Sequence, residues 1–173
     1  MKHIQKPPVG EFAKYASLYV DAVPDDGMVM QHLADNIHVM QDLVRSLPPE
    51  KLTTPHAEGE WTVQEILVHV MDTERVFAYR GLRIARGDTV ELPGFEQDDY
   101  VPYSRANERT LDDIFAEYDS VRRASITLFA SFNDDDFLRV GRASGSPFSV
   151  RAAVYQIVGH ELHHINSIKE NYQ

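Results

Sequence analysis

The chain has 173 residues, 43% of them hydrophobic and 25% charged, with no cysteine and a formal net charge of −10. That is enough apolar material to bury a core without staples, so wholesale disorder, a disulfide framework, a Cys-based zinc site and a cysteine nucleophile are excluded. The acidic balance argues against nonspecific nucleic-acid binding, which needs a basic footprint, and no apolar run is long enough to span a membrane.

The length predicts one domain over residues 1–173. The opening Met-Lys-His-Ile-Gln-Lys-Pro-Pro has no apolar stretch of signal-peptide type, so a cytoplasmic chain is expected. Residues 1–26, broken by Pro7, Pro8, Gly10 and Pro24, read as an irregular arm with one helical turn around Phe12–Tyr19. A first helix is expected over Met28–Leu47, with Leu33, Ile37, Met40, Val44 and Leu47 at helical spacing, and Pro48-Pro49 stops it. Thr62-Val-Gln-Glu65 is a capping box that starts a second helix running to about Arg86 and ending at Gly87. Trp61, just before it, is expected as a hydrophobic staple against Ile66, with a substrate-facing ring as the alternative. Asp88 to Arg109 shows no periodicity, and an irregular stretch of about 20 residues often covers a site. A third helix spans Leu111–Phe132. Leu138–Gly141 and Phe148 suit a small hairpin, and Ser149 caps a fourth helix over Val150–Lys169. Four amphipathic helices without strong strand signals predict an all-α fold, an antiparallel four-helix bundle with one elaborate crossover.

Eight histidines are present. His160 and His164 are four residues apart, so on a helix they share a face, about 6 Å apart along the axis. That spacing lets both imidazoles reach one metal ion, and a third protein ligand is then expected. On a helical wheel His164 falls about 60° and His160 about 100° from the centre of the fourth helix's apolar stripe, while His163 points away. His69 lies about 100° off the stripe of the second helix, where it is either a third ligand or an ordinary, partly buried histidine. Imidazole donors suit Zn²⁺, with Ni²⁺ and Fe²⁺ also compatible.

His160-Glu-Leu-His-His164 also matches the H-E-x-x-H pattern of zinc proteases. Only nine residues follow His164, however, so there is no room for a downstream third ligand. Glu161 lies near the centre of the apolar stripe, as a general base beside a metal or, the favoured reading, as a structurally paired carboxylate. Glu74 is similarly placed on the second helix. Arg75, Arg80 or Tyr155 could supply donors for both.

Glu60-Trp-Thr-Val-Gln-Glu-Ile-Leu-Val-His-Val-Met-Asp-Thr-Glu-Arg75 resembles the signature around the first metal-binding histidine of DinB-like proteins. Phe77-Ala-Tyr-Arg80, Ala85-Arg-Gly-Asp88, Leu92-Pro-Gly-Phe-Glu-Gln-Asp98 and Gly159-His-Glu-Leu-His-His164 are similar to further blocks of that family, in order over about residues 5–172. The resemblance implies an up-down-down-up bundle with long connections in place of simple alternation. It implies His69, His160 and His164 as metal ligands, with water or substrate in the other positions. Family members include thiol S-transferases using bacillithiol or mycothiol, a mycothiol-dependent isomerase, and proteins described as metal-dependent hydrolases.

The expected function is therefore a divalent-metal enzyme that transfers a low-molecular-weight thiol to an electrophile or hydrolyses a small molecule. The alternative is a metal-binding sensor or binding module without turnover. A chain without cysteine must take any thiol from a cosubstrate, and Arg80, Arg83 or Arg86 offer local positive charge to an anionic one. Tyr100 and Phe95 of the 88–109 segment, together with Arg80, are the expected pocket residues. The alternative for these aromatics is that they seal the bundle end or form a homodimer contact.

Overall fold

Three of the four long helices start where a side-chain oxygen takes an otherwise unpaired N–H of the first turn. In the computed structural model, which describes residues 2–173, Thr62 accepts from the Glu65 N–H while Glu65 accepts from the Thr62 N–H, completing the predicted capping box. Thr110 accepts from Asp113 N–H and Ser149 from Ala152 N–H in the same manner. The helices are α1 (Val29–Arg45), α2 (Val63–Ala85), α3 (Leu111–Ala130) and α4 (Val150–Tyr172). Gly87 at φ +80° ends α2: its N–H bonds to Ile84 and that of Asp88 to Arg83, a Schellman stop that suits a residue without Cβ. The predicted hairpin forms as β1 (Val140–Ala143) against β2 (Ser146–Ser149). Leu92 of the long connection adds to it through bonds to Arg142 and Ser144.

Two boundaries differ from expectation for local reasons. Pro49 does not simply end helicity but sits at the first position of a short turn, Pro49–Leu52. Helix α4 continues past Lys169 to Tyr172, whose hydroxyl donates to the Trp61 carbonyl at 2.5 Å and whose own carbonyl accepts from Lys51 at 2.7 Å.

Side-chain pairings give the helix directions. His69 faces His160 and Gly81 faces Ala153, so α2 and α4 are antiparallel. Arg75 pairs with Glu117 and Gly81 meets Phe129, so α2 and α3 are parallel. Arg45 lies over Phe115 while the Leu33 carbonyl meets Arg122, so α1 and α3 are antiparallel. Helix α1 is therefore parallel to α4, and the order is up-down-down-up. Helices α1 and α2 each pack against both α3 and α4 and lie diagonally from one another. The antiparallel alternation expected from the helix pattern is thus corrected. Parallel neighbours cannot be joined by a tight turn, because the chain must first travel back along a helix of about 34 Å (23 residues at 1.5 Å each). Residues 86–110 make that return.

The apolar core has two halves. One centres on Phe77, Phe129, Phe132 and Phe148, the other on Met40, Leu67, Met71, Ile114 and Ile168. Between them Arg122 of α3 clasps all four helices. It donates to both Glu74 oxygens of α2 at 3.0–3.2 Å, to Glu161 of α4 at 2.9 Å and to the Leu33 carbonyl of α1 at 2.6 Å. Tyr118 also donates to Glu161. The donors for Glu74 and Glu161 are therefore Arg122 and Tyr118, not Arg75, Arg80 or Tyr155. Both carboxylates face the bundle axis, and α3 is the element that presents a cation there.

Candidate metal centre

His69 projects from the second turn of α2, and His160 and His164 from successive turns of α4. Antiparallel packing of the two helices brings the three rings together. The His69 and His160 Nε2 atoms are 2.9 Å apart and those of His160 and His164 are 3.2 Å apart. One nitrogen from each ring falls within 4.8 Å of the others. His69 and His160 are buried and His164 is half-buried. Burial pushes the His69 pKa down to about 4, reinforced by the nearby His163. It pushes His164 down to about 3, with His69 and His163 adding. His160 falls well below the usual imidazole range through burial first and the other histidines second. All three rings are neutral at pH 7, the form that binds metal.

The donor chemistry fits a divalent ion. A neutral imidazole carries one N–H, so three Nε2 atoms aimed at one another cannot all be satisfied among themselves. Two nitrogens at 2.0–2.1 Å from a tetrahedral ion stand about 3.4 Å apart, close to the spacings seen. One cation would satisfy all three lone pairs.

A cavity of about 500 Å³ opens onto the histidines, within the range of small-molecule sites. Helix α2 lines it with His69, Thr73, Phe77 and Arg80, successive positions on one face. The Thr73 hydroxyl is buried and without a partner among the described residues. The turn Ser17–Val20 lays Tyr19 edge-on against His160 at 5.3 Å. That approach needs Gly159, since a Cβ there would sit 2.0 Å from the Tyr19 carbonyl oxygen. Burial raises the Tyr19 pKa, so its phenol keeps its proton. Residues 94–97 of the long connection and Ser144 of the hairpin loop close the far side.

The predicted site residues divide three ways. His69, His160 and His164 converge. Phe95 and Arg80 line the cavity with them. Tyr100 does not reach it: it packs on Phe95 at 5.7 Å between ring centres and lines a narrow neighbouring crevice with His69 and Asp72. Glu161 is fully buried on the Arg122 side of α4 and does not line the cavity. Trp61 serves the core and the cavity together: it is half-buried, packs against the cluster that contains Ile66, and its ring stands 4.8 Å from that of His69 on the cavity wall. Sequence reasoning missed Thr73, Tyr15, Tyr19 and Ser144. Thr73 was findable, one turn beyond His69 on the same face, whereas the others arrive from segments without periodicity.

The profile of the DinB superfamily matches residues 32–168. A Geobacillus thermodenitrificans protein named "Putative metal-dependent hydrolase" is 26% identical over 168 residues, covering 93% of this chain and 90% of its own. A Bacillus licheniformis protein with the same descriptive name is 23% identical over 134 residues, covering 76% of each. Among solved structures, Bacillus subtilis YfiT, described as a probable metal-dependent hydrolase with an unusual four-helix bundle topology, superposes with a TM-score of 0.75. The two share 18% identity over 96% of this chain and 91% of that one. The DinB-like protein YjoA of the same species gives a TM-score of 0.58 at 15% identity, over 83% of this chain and 87% of that one.

Proposed function

The chain belongs to the DinB superfamily, and from that premise we propose that it is a divalent-metal-dependent enzyme acting on a small molecule, with His69, His160 and His164 holding one ion. The observation that carries the reading is a set of three convergent, neutral imidazoles with a cavity of about 500 Å³ open beside them. Structural zinc sites fill all four positions with protein donors, whereas catalytic ones leave a position for water or substrate. A three-donor site beside a cavity therefore favours chemistry over a binding module without turnover. Bound there, Zn²⁺, Ni²⁺ or Fe²⁺ supplies a Lewis acid that brings the pKa of a coordinated water toward about 7, or holds a thiol as thiolate.

The chain's own groups do the rest. The histidines bind as they stand, with no proton to displace at neutral pH. The Tyr19 phenol and the Thr73 hydroxyl can donate to substrate oxygens. Trp61, Phe77 and Phe95 shape an apolar wall that excludes water. Hydrolysis is the leading reaction, in line with the names of the two relatives. Thiol transfer is the second reading, favoured by a cavity with room for a cosubstrate, which would have to bring the thiol because the chain has no cysteine.

Elemental analysis tests the ligand assignment: about one ion per chain is expected, lost on His160→Ala. Metal retained in full by that variant would overturn it. Screening ester, amide and epoxide substrates with and without a small thiol separates the two reactions.

A further inference from the structure

Arg80 is a buried cation without a carboxylate. Its guanidinium donates through Nη2 to the Pro93 carbonyl at 2.8 Å and to Ser144 Oγ at 3.0 Å. The rings of Phe77, Phe95 and Phe148 stand 5.6–5.7 Å from it. The residue is 3% exposed, and among the described residues it makes no ion pair. Its neighbours in sequence differ: Arg83 pairs with Asp88, and Arg86 lies over Phe132. Burial lowers the Arg80 pKa, as expected of a charge that nothing nearby compensates.

A desolvated guanidinium that lacks a counter-ion is costly, and this chain holds 27 acidic residues that could have supplied one. Glu96 lines the same cavity from its exposed rim but lies beyond ion-pair distance. With a divalent ion on three neutral histidines, the cavity carries positive charge at both ends inside a protein of net charge −10. We infer that Arg80 anchors an anionic headgroup of the substrate, a carboxylate or phosphate, at the end of the cavity remote from the histidines. The aromatic rings surround the guanidinium, and its two hydrogen bonds occupy Nη2. Nε and Nη1, on opposite sides of the fork, are each left to donate a single charge-assisted hydrogen bond to an oxyanion.

The span follows from helix geometry. Arg80 lies eleven residues after His69, about 16 Å along α2. Both side chains lean toward the N-terminus, but the longer Arg80 reaches back to the Phe77 ring, eight residues and about 12 Å along α2 from His69. An extended chain of about ten bonds covers that distance at ~1.2 Å per bond. The substrate class is an elongated molecule with its reactive bond at one end and an oxyanion at the other. This inference rests on the metal-centre reading.

The test is calorimetric titration of the zinc-loaded protein with three hydroxamates of matched chain length. One ends in a carboxylate, one in a phosphonate and one in a neutral primary amide, with lengths scanned on either side of about ten bonds. The hydroxamate anchors each probe on the ion. A charged probe should bind about tenfold tighter than the amide at a preferred length, as a charge-assisted pair predicts. The stronger of the two charged probes identifies the headgroup. Arg80→Gln should erase that advantage while leaving zinc content and the amide's Kd unchanged, and Arg80→Lys should retain part of it. The wild-type comparison stands alone if the glutamine variant folds poorly. Equal affinity of charged and neutral probes at every length, with the amide bound, overturns the anchoring role. Failure of the amide itself to bind the zinc-loaded protein overturns the metal-centre reading, and this inference with it.

Discussion

Replacing Arg122 by Met tests the polar clasp at the centre of the bundle. The substitution keeps most of the side-chain volume but removes every donor that ties Glu74, Glu161 and the Leu33 carbonyl together. Glu74 and Glu161 are 1% and 0% exposed, so neither can turn to water. Left charged, they would cost more than a domain's whole stability, so they escape by taking up protons. At pH 7, protonating one carboxyl with a reference pKa of 4.5 costs about 3.4 kcal/mol, that is 1.36 kcal/mol times 2.5. At pH 5 the same step costs about 0.7 kcal/mol. Glu161 starts with its pKa already raised, by burial above all, which limits its share. The expected loss is therefore about 3–5 kcal/mol at pH 7, the usual cost of breaking a buried pair, falling to about 1–2 kcal/mol at pH 5. The sign follows from linkage: in the variant the folded carboxyls have raised pKa values, so stability is present at acid pH and lost as pH rises through them. Urea denaturation at both pH values, with the m-value checked for constancy, measures this. A loss below about 1 kcal/mol at pH 7, or an equal loss at both, would refute the account of the clasp. Replacing Glu74 and Glu161 by Gln in the same background should recover much of the loss.

Glu161→Gln should retain metal and turn over within a few-fold of wild type, because Glu161 faces Arg122 rather than the cavity; a hundredfold fall in kcat with metal retained would make it a proton-transfer group after all. Without metal, the buried histidines make the protein acid-sensitive: the unfolded chain takes up protons near pH 6.5 that His69, at about 4, and His164, at about 3, refuse when folded. The melting temperature of chelator-treated protein should therefore fall from pH 7 toward pH 5, and added zinc should raise it more at pH 7 than at pH 5; a flat profile for the metal-free protein would contradict the burial of the cluster. Gly159→Ala places a methyl group 2.0 Å from the Tyr19 carbonyl oxygen and should cost about 1–3 kcal/mol by displacing the Ser17–Val20 turn, read by denaturation. Unchanged stability there would mean that the turn does not bear on α4.

Local chemistry is legible in the linear chain wherever it acts over a few residues. The Thr62–Glu65 box, the Gly87 stop, the Ser149 cap and the four apolar periodicities each depend on neighbours within one or two turns, and each is found where expected. The His160–His164 pair is legible for the same reason, since four residues on a helix fix two side chains to one face. What the chain cannot reveal alone is which face meets which. The wheel marked Glu74 and Glu161 as inward carboxylates, but Arg122 as their partner depends on α3 lying parallel to α2 and diagonal to α4. Trp61 and Tyr19 reach the histidines only through packing, one at the mouth of α2 and the other by a turn that crosses α4 at Gly159. Arg80 shows the division most clearly. Its position on the His69 face follows from helical periodicity, but its isolation from every carboxylate is decided by Pro93, Ser144 and three aromatic rings brought together from distant parts of the chain. Periodicity sets the direction in which a side chain leaves its helix, and only the packed bundle determines what it meets there.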